Sequence, residues 1–268
     1  MEVSPDDMLE AAIVIARRAG ALLRTYWERG VVAEYKGDID LITEADRASE
    51  ALIVQSLLEQ FPHHALYAEE GGSGGSPSSH VWIIDPLDGT TNFAHGFPAF
   101  SVTLALQVEG RTELGVTFDP LRNELFTAQR GRGAFLNGQP IHVSGVPDLA
   151  HSLLATGFPY DRQTSAHNNV RQHNAFLMRS QGVLRVGSAA LDLASVACGR
   201  LDGFWEFKLS PWDFAAGALL VELAGGVVTD ADGGPIDLLS PGLVASNESI
   251  HAEMLRVLRA TARVASAV

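Results

Sequence analysis

A single cysteine, Cys198, stands in 268 residues, so an internal disulfide is excluded and the chain suits a reducing cytoplasm. Cys198 itself reads as a small buried apolar residue. Basic residues are scarce: 19 Lys and Arg face 32 Asp and Glu, giving a formal net charge of −13. That balance argues against nucleic acid or an anionic membrane as the main ligand, since both demand a basic surface. It also makes an anionic substrate awkward, unless a bound metal reverses the sign locally. Long apolar runs are missing too, and with them any membrane span. No basic region precedes the first apolar stretch, which therefore reads as a capped amphipathic helix and not as a signal peptide. The nine histidines show no zinc-ligand spacing and are expected mostly at the surface. Internal repeats and coiled-coil heptads are absent.

What is present centres on Trp82-Ile83-Ile84-Asp85-Pro86-Leu87-Asp88-Gly89-Thr90-Thr91-Asn92-Phe93. It reads as a buried apolar strand that Pro86, lacking an N–H and fixed in φ, brings to a stop. Gly89 permits a tight turn, and Thr90 and Thr91 start a short helix. Asp85 and Asp88 are thus expected side by side at a strand end, before a helix N-terminus whose free N–H groups favour an anion. Two like charges about 4 Å apart repel by roughly 4 kcal/mol at an effective dielectric of about 20. A cation between them relieves this, and an all-oxygen ligand set suits Mg²⁺. A hard metal beside an anion cradle points to phosphate chemistry. Trp82 and, further on, Trp212 flank acidic motifs and are expected as packing anchors.

Elsewhere the pattern alternates. Ser4 and Pro5 open a first helix with an apolar stripe at Leu9, Ile13, Ala16, Leu23 and Tyr26. Residues 29 to 40 read as irregular. Thr43-Glu44-Ala45-Asp46 looks like a capping box for a helix to about Glu59. A short strand over 65–68 leads to Glu69, Glu70 and a glycine-serine surface loop over 71–79. Alternating β pattern follows from Phe100 to Ile141, with Asn137-Gly138 as a hairpin turn. The second half predicts strands near Leu153, Val183, 202–207, Val227 and Val244. Its helices are expected near 165–180, 188–198, 211–223 and from 248. Layered α and β elements with a large mixed sheet in each half are the architecture this order implies. Length allows one large domain or two modest ones.

The remaining acids carry two readings each. Glu69 and Glu70 form either a solvated acidic turn or part of a site. Asp213, in Ser210-Pro211-Trp212-Asp213, sits where an acid favours the helix dipole with or without chemistry; Asp46 shares that ambiguity. Spacing alone does not bring Glu69, Asp85, Asp88 and Asp213 together.

WIIDPLDGTTNF followed by SPWDFAAGALLVELAGG resembles the inositol monophosphatase family of Mg²⁺-dependent, lithium-sensitive phosphatases. DLITEAD, the AEE before the glycine loop, GAFLNG and GSAALDLASVACGRLDGFWE stand in the family's order, so the resemblance spans nearly the whole chain. It implies an α/β (α+β) fold, a layered αβαβα sandwich like fructose-1,6-bisphosphatase, forming one phosphatase domain over 1–268. Subdomains of about 1–145 and 146–268 would carry the phosphate motif and the substrate contacts. Glu69, Asp85 and the Leu87 carbonyl would hold a first Mg²⁺. Asp85, Asp88 and Asp213 would hold a second, and Glu69 would reach a weaker third through water. Thr90, oriented by Asp46, would position the attacking water with Glu69 in the catalytic set, while the Gly89 and Thr90 N–H groups bind phosphate. Asp88, Ala189, Glu206 and Asp213 would contact substrate. Lys36 resembles a basic residue of a loop near the metals.

The resemblance further implies hydrolysis of inositol monophosphate or a similar small polyol or sugar phosphate, in a cytoplasmic homodimer. Thr90 to Phe93 is similar to the inositol branch, and 157–162 to members of broad substrate range. Histidinol phosphate and fructose bisphosphate are the alternatives within the fold. A different class, a regulatory partner of transcription machinery, stays open because some bacterial relatives bind it.

Overall fold

The first helix, α1 (Pro5–Arg29), begins where the Ser4 hydroxyl accepts the Asp7 amide, with Pro5 at its first position and Asp6 and Asp7 at its positive end. The computed structural model describes residues 3–30, 33–35, 41–71, 78–238, 240 and 242–262. Lys36, Asp40 and most of the glycine-serine loop lie outside the described residues. The buried stripe of α1 runs through Met8, Ala12, Ile15, Ala16, Ala19 and Leu23. Leu9, Ile13 and Tyr26, expected in that stripe, only flank it and are half-buried. Alanines, whose small side chains let the helix approach the sheet, form its centre.

The stretch expected to be irregular contains a strand: β1 (Ala33–Tyr35) pairs antiparallel with β2 (Leu41–Thr43). Thr43 then caps α2 (Glu44–Gln60) through the anticipated box with Asp46. β3 (Ala65–Ala68) runs parallel to β4 (His80–Asp88). α3 (Thr90–Ala94) follows, then the antiparallel strands β5 (Ser101–Val108), β6 (Arg111–Asp119), β7 (Glu124–Gln129), β8 (Gly133–Leu136) and β9 (Gln139–Pro140). These make a mixed seven-stranded sheet in the order β3-β4-β5-β6-β7-β8-β9. Asn137 and Gly138, both at positive φ, turn β8 into β9.

The second half supplies β10 (Leu153–Thr156), α4 (Val170–Leu177), β11 (Gly182–Leu184), α5 (Ala189–Ala197), β12 (Gly203–Phe207), α6 (Pro211–Leu223), β13 (Val227–Thr229), β14 (Gly242–Ser246) and α7 (Glu248–Ala262). Its five strands are ordered β11-β10-β12-β14-β13, again mixed. α4 is shorter than the expected 165–180, because the chain from Gly157 stays in loop and turns until Asn169, in the left-handed region, opens the helix.

Packing gives the five layers expected. α1 and α2 cover one face of the larger sheet; α5 and α6 lie between the sheets; α4 and α7 cover the far face of the smaller one. Phe126, Leu193, Phe204 and Leu220 fill the middle interface, and Phe176, Trp205, Ile250 and Met254 the outer one. Trp82 is a buried anchor whose indole N–H donates to His64 Nδ1 at 3.1 Å. Trp212 is different: it is half-buried, stands edge-on to Tyr67, and faces a cavity. Cys198, expected to be buried, is half-buried at the end of α5; of the nine histidines, His251 is buried. Among the described residues no helix is long and apolar enough to cross a membrane.

Candidate active site

Pro86 does not end β4. Asp85 pairs with Thr103 and Asp88 with Ser101, so three steps along β4 match two along β5. The extra residue is a bulge, which turns the strand's last carboxylates out of the ladder. A proline costs nothing at the one place where no ladder donor is needed. Within the bulge the Leu87 amide donates to Asp85 Oδ1 at 3.0 Å, which fixes that side chain.

Asp88 is held from far along the chain. Its Oδ2 accepts from Ser101 Oγ at 3.1 Å, from Ser188 Oγ, and from the Ala190 amide at 3.1 Å. The last two belong to the start of α5, so Asp88 sits at that helix's positive end. Next, Gly89 turns the chain with φ 91°, and a Cβ there would lie 2.9 Å from the Ala99 carbonyl oxygen. Only glycine satisfies both demands. α3 then begins, and its Thr90 Oγ1 is within reach of two acceptors: Asp46 Oδ1 at 3.1 Å and the Leu87 carbonyl at 3.0 Å. Asp46 is fully buried behind Thr90, its other oxygen taking the Thr43 amide at 2.8 Å and the Thr43 hydroxyl at 2.5 Å.

Asp213 both caps its helix and lines a cavity. Its Oδ2 accepts the Ser210 amide at 2.6 Å, which caps α6. The same residue lines a cavity of about 540 Å³ together with Glu69, Asp85, Asp88, Gly89 and Thr90. Leu87, Ala189 and Glu206 are on the wall of that cavity as well. Glu69 arrives at the end of β3, its amide donating to the Ile84 carbonyl at 3.3 Å. The Glu70 amide donates instead to Glu50 Oε2 at 2.8 Å. Of the expected catalytic, metal, phosphate and substrate residues, all but Asp46 reach the wall. Trp212 lines it too, so its ring belongs to the site as well as to the packing.

Burial, followed by repulsion from neighbouring acids, holds the Asp85 carboxyl well above the usual range. Asp213 is likewise raised by burial, although the Ser210 amide pulls it down. Asp88 is pushed up to about 6, burial outweighing its serine and backbone donors. Burial also takes Glu206 to about 8 and raises Asp46. Among the described residues no Lys or Arg ion-pairs with Asp85, Asp88 or Asp213. A buried all-oxygen acid cluster of this kind fits a divalent cation of the hard class. No three His, Cys, Asp or Glu side chains among the described residues form a ready-made cage. Mg²⁺ is commonly held by one or two carboxylates, with waters and substrate phosphate completing its shell, and adjacent Asp85 and Asp88 offer that number.

Sequence reasoning missed several contributors. Asn92, inside the main motif, donates from Nδ2 to the carbonyls of Ala99 (2.8 Å), Val186 (2.9 Å) and Gly187 (3.3 Å), tying α3 to the second half. Ser101, Ser188, Arg185 and the buried Asp192 were also not singled out. Ser188 and Asp192 lie in GSAALDL, the segment that carries Ala189, and that motif was the available signal.

Comparison with known proteins bears on the family and the fold. The chain is 44% identical over 263 residues to the inositol-1-monophosphatase of a Synechocystis strain, covering 96% of this chain and 92% of that protein. It is 45% identical over 255 residues to the Nus factor SuhB of Escherichia coli, covering 94% and 96%. The structure of inositol monophosphatase from Anabaena (Nostoc) superposes with a TM-score of 0.87 at 43% identity, over 95% of this chain and 96% of that one. The profile of the Inositol monophosphatase family matches residues 4–263, and the chain belongs to that family.

Proposed function

We propose that this chain is an Mg²⁺-dependent phosphate monoester hydrolase acting on inositol monophosphate or a similar small polyol or sugar phosphate. One observation carries the reading: a threonine hydroxyl backed by a buried aspartate opens a helix whose neighbours on the cavity wall are Asp85, Asp88 and Asp213. Glu69, Asp85, the Leu87 carbonyl, Asp88 and Asp213 would hold two or three Mg²⁺ ions, which supply Lewis acidity and a water of lowered pKa. The chain's own groups do the rest. When the Thr90 proton points to Asp46 Oδ1, the oxygen lone pairs face the cavity and accept from a water. Burial makes Asp46 more basic than a surface aspartate, which suits a proton passed on through Thr90. Amides of Gly89 and Thr90, at the start of α3, receive phosphoryl oxygens. Glu206, Ala189, Asp88 and Asp213 are the groups left for the alcohol part of the ester. Among these residues none is placed as a nucleophile, so direct attack by water is the reaction proposed.

A substrate panel tests this. Inositol monophosphate, histidinol phosphate and fructose 1,6-bisphosphate should be compared by kcat/KM with and without Mg²⁺. Highest kcat/KM on the inositol ester, lost on chelation, is expected; preference for either other ester moves the protein to that branch. We further infer a cytoplasmic homodimer, as the family resemblance implies. A second reading has a specific support, the 45% identity to a protein named a Nus factor. On that reading the chain is a partner of transcription machinery, and absence of turnover on every phosphate ester tested would favour it.

A further inference from the structure

Glu206 reaches the cavity across a residue that has no side chain. β10 and β12 run side by side with Thr156 opposite Trp205, which brings Gly157 against Glu206. A methyl group built on Gly157 would overlap Glu206 Cδ and both of its carboxylate oxygens. Gly157 is not at positive φ, so space and not conformation demands glycine here.

The ground on either side of this contact is fixed. Asn169, buried and in the left-handed region at φ 68°, donates from Nδ2 to the Gly157 carbonyl at 2.6 Å and to Thr156 Oγ1 at 2.8 Å. Its Oδ1 accepts the Trp205 indole N–H at 2.7 Å, and Thr156 Oγ1 donates to the Trp205 carbonyl at 2.5 Å. Both amide hydrogens and the oxygen of that buried Asn side chain are thereby committed to Gly157, Thr156 or Trp205. A satisfied buried network of this kind is rigid. Gly157 therefore cannot withdraw, whereas the Glu206 carboxylate has no hydrogen bond among the described residues and stands near Arg185 and Asp88 only through their charges.

We propose that Gly157 is a specificity-determining position: its bare Cα forms the recess from which Glu206 meets the hydroxyl groups of a polyol phosphate, and Asn169 keeps that recess in place. The proposal rests on the substrate class proposed above. Gly157 is a positioning residue, acting through Glu206. A carboxyl group so placed pairs with ring hydroxyls, which an aryl phosphate lacks.

Gly157→Ala tests it. The added methyl displaces the tip of a flexible side chain and not backbone, so the melting temperature should stay within a few degrees of the wild type. On myo-inositol 1-phosphate, kcat/KM should fall roughly tenfold or more, mainly through KM, the size expected for losing one buried hydrogen bond. On p-nitrophenyl phosphate it should stay within about twofold, since the phosphate end is untouched. Adding Glu206→Asp, one methylene shorter, should recover part of the loss on the inositol ester. A crystal structure of Gly157→Ala reads the geometry without turnover and should show the carboxylate displaced over an intact Asn169 network. Equal losses on both esters, no loss on either, or an unmoved carboxylate would overturn the proposal. A wild type inactive on every polyol phosphate would refute the substrate class itself, a result visible before any variant is made.

Discussion

The Thr90 hydroxyl lies 3.1 Å from Asp46 Oδ1, across 44 residues of chain. One residue opens α3 and the other closes the capping box of α2, so this hydrogen bond joins two helix starts.

Removing the hydroxyl should cost chemistry and spare the fold. Thr90→Ala should lower kcat by about 10²–10⁴, the usual range for general-base assistance, while Thr90→Ser stays close to wild type. Steady-state kinetics on inositol monophosphate provide the check, and an unchanged kcat in Thr90→Ala would remove the relay. Asp46→Asn should show a similar kinetic loss together with a destabilisation of about 1 kcal/mol, because the same side chain caps α2.

The metal-free protein should become more stable when Asp88 can no longer ionise. Its folded carboxyl titrates near 6 against an ordinary 3.8, raised by burial. A raised carboxyl contributes stability below its unfolded pKa and loses it as pH climbs through the folded value. Between pH 4 and pH 7 in EDTA the loss is on the order of 3 kcal/mol. Asp88→Asn should flatten that slope and raise the melting temperature at pH 7 in EDTA. It should also abolish the rise that Mg²⁺ gives the wild type. A variant with the wild-type pH slope would contradict this.

Much of the local structure was readable, and the reasons are local. Ser210-Pro211 at one end and Gly225-Gly226 beyond the other bracket α6 as Pro211–Leu223. The Thr43–Asp46 box fixed the start of α2, and alternation gave β5 to β8. The bulge at Pro86 was not readable, since missing an N–H is compatible both with ending a strand and with interrupting it. The α1 stripe was right at Ala16 and Leu23 and missed at Leu9, Ile13 and Tyr26, where large apolar residues were weighed above alanines. Asn169 gave no sign of opening α4 in the left-handed region.

The site divides in the same way. Asp85, Asp88, Gly89 and Thr90 are contiguous, so their arrangement follows from one turn. Ser101 and Ser188, which hold Asp88, come from 13 and 100 residues away. No periodicity encodes such a contact. The convergence of Glu69 and Asp213 on the same cavity likewise depends on α6 packing between the sheets, which only the assembled layers provide.

Acid should weaken the second half through His251. The ring lies between Ser246 Oγ at 2.8 Å and Thr229 Oγ1 at 3.0 Å, and burial lowers its pKa. A depressed histidine adds stability above its unfolded pKa of about 6.5, and that contribution is lost as pH falls through the folded value. The urea midpoint of the wild type should therefore drop between pH 7 and pH 5 more than that of His251→Gln. Equal drops would assign the acid sensitivity to other groups.

Phosphate release from inositol monophosphate by Asp85→Asn and Asp213→Asn, with saturating Mg²⁺ and folding verified by circular dichroism, bears most directly on the acid cluster as a metal centre. Both folded variants should lose Mg²⁺-dependent turnover while the wild type keeps it. Substantial Mg²⁺-dependent release by either one would contradict the assignment.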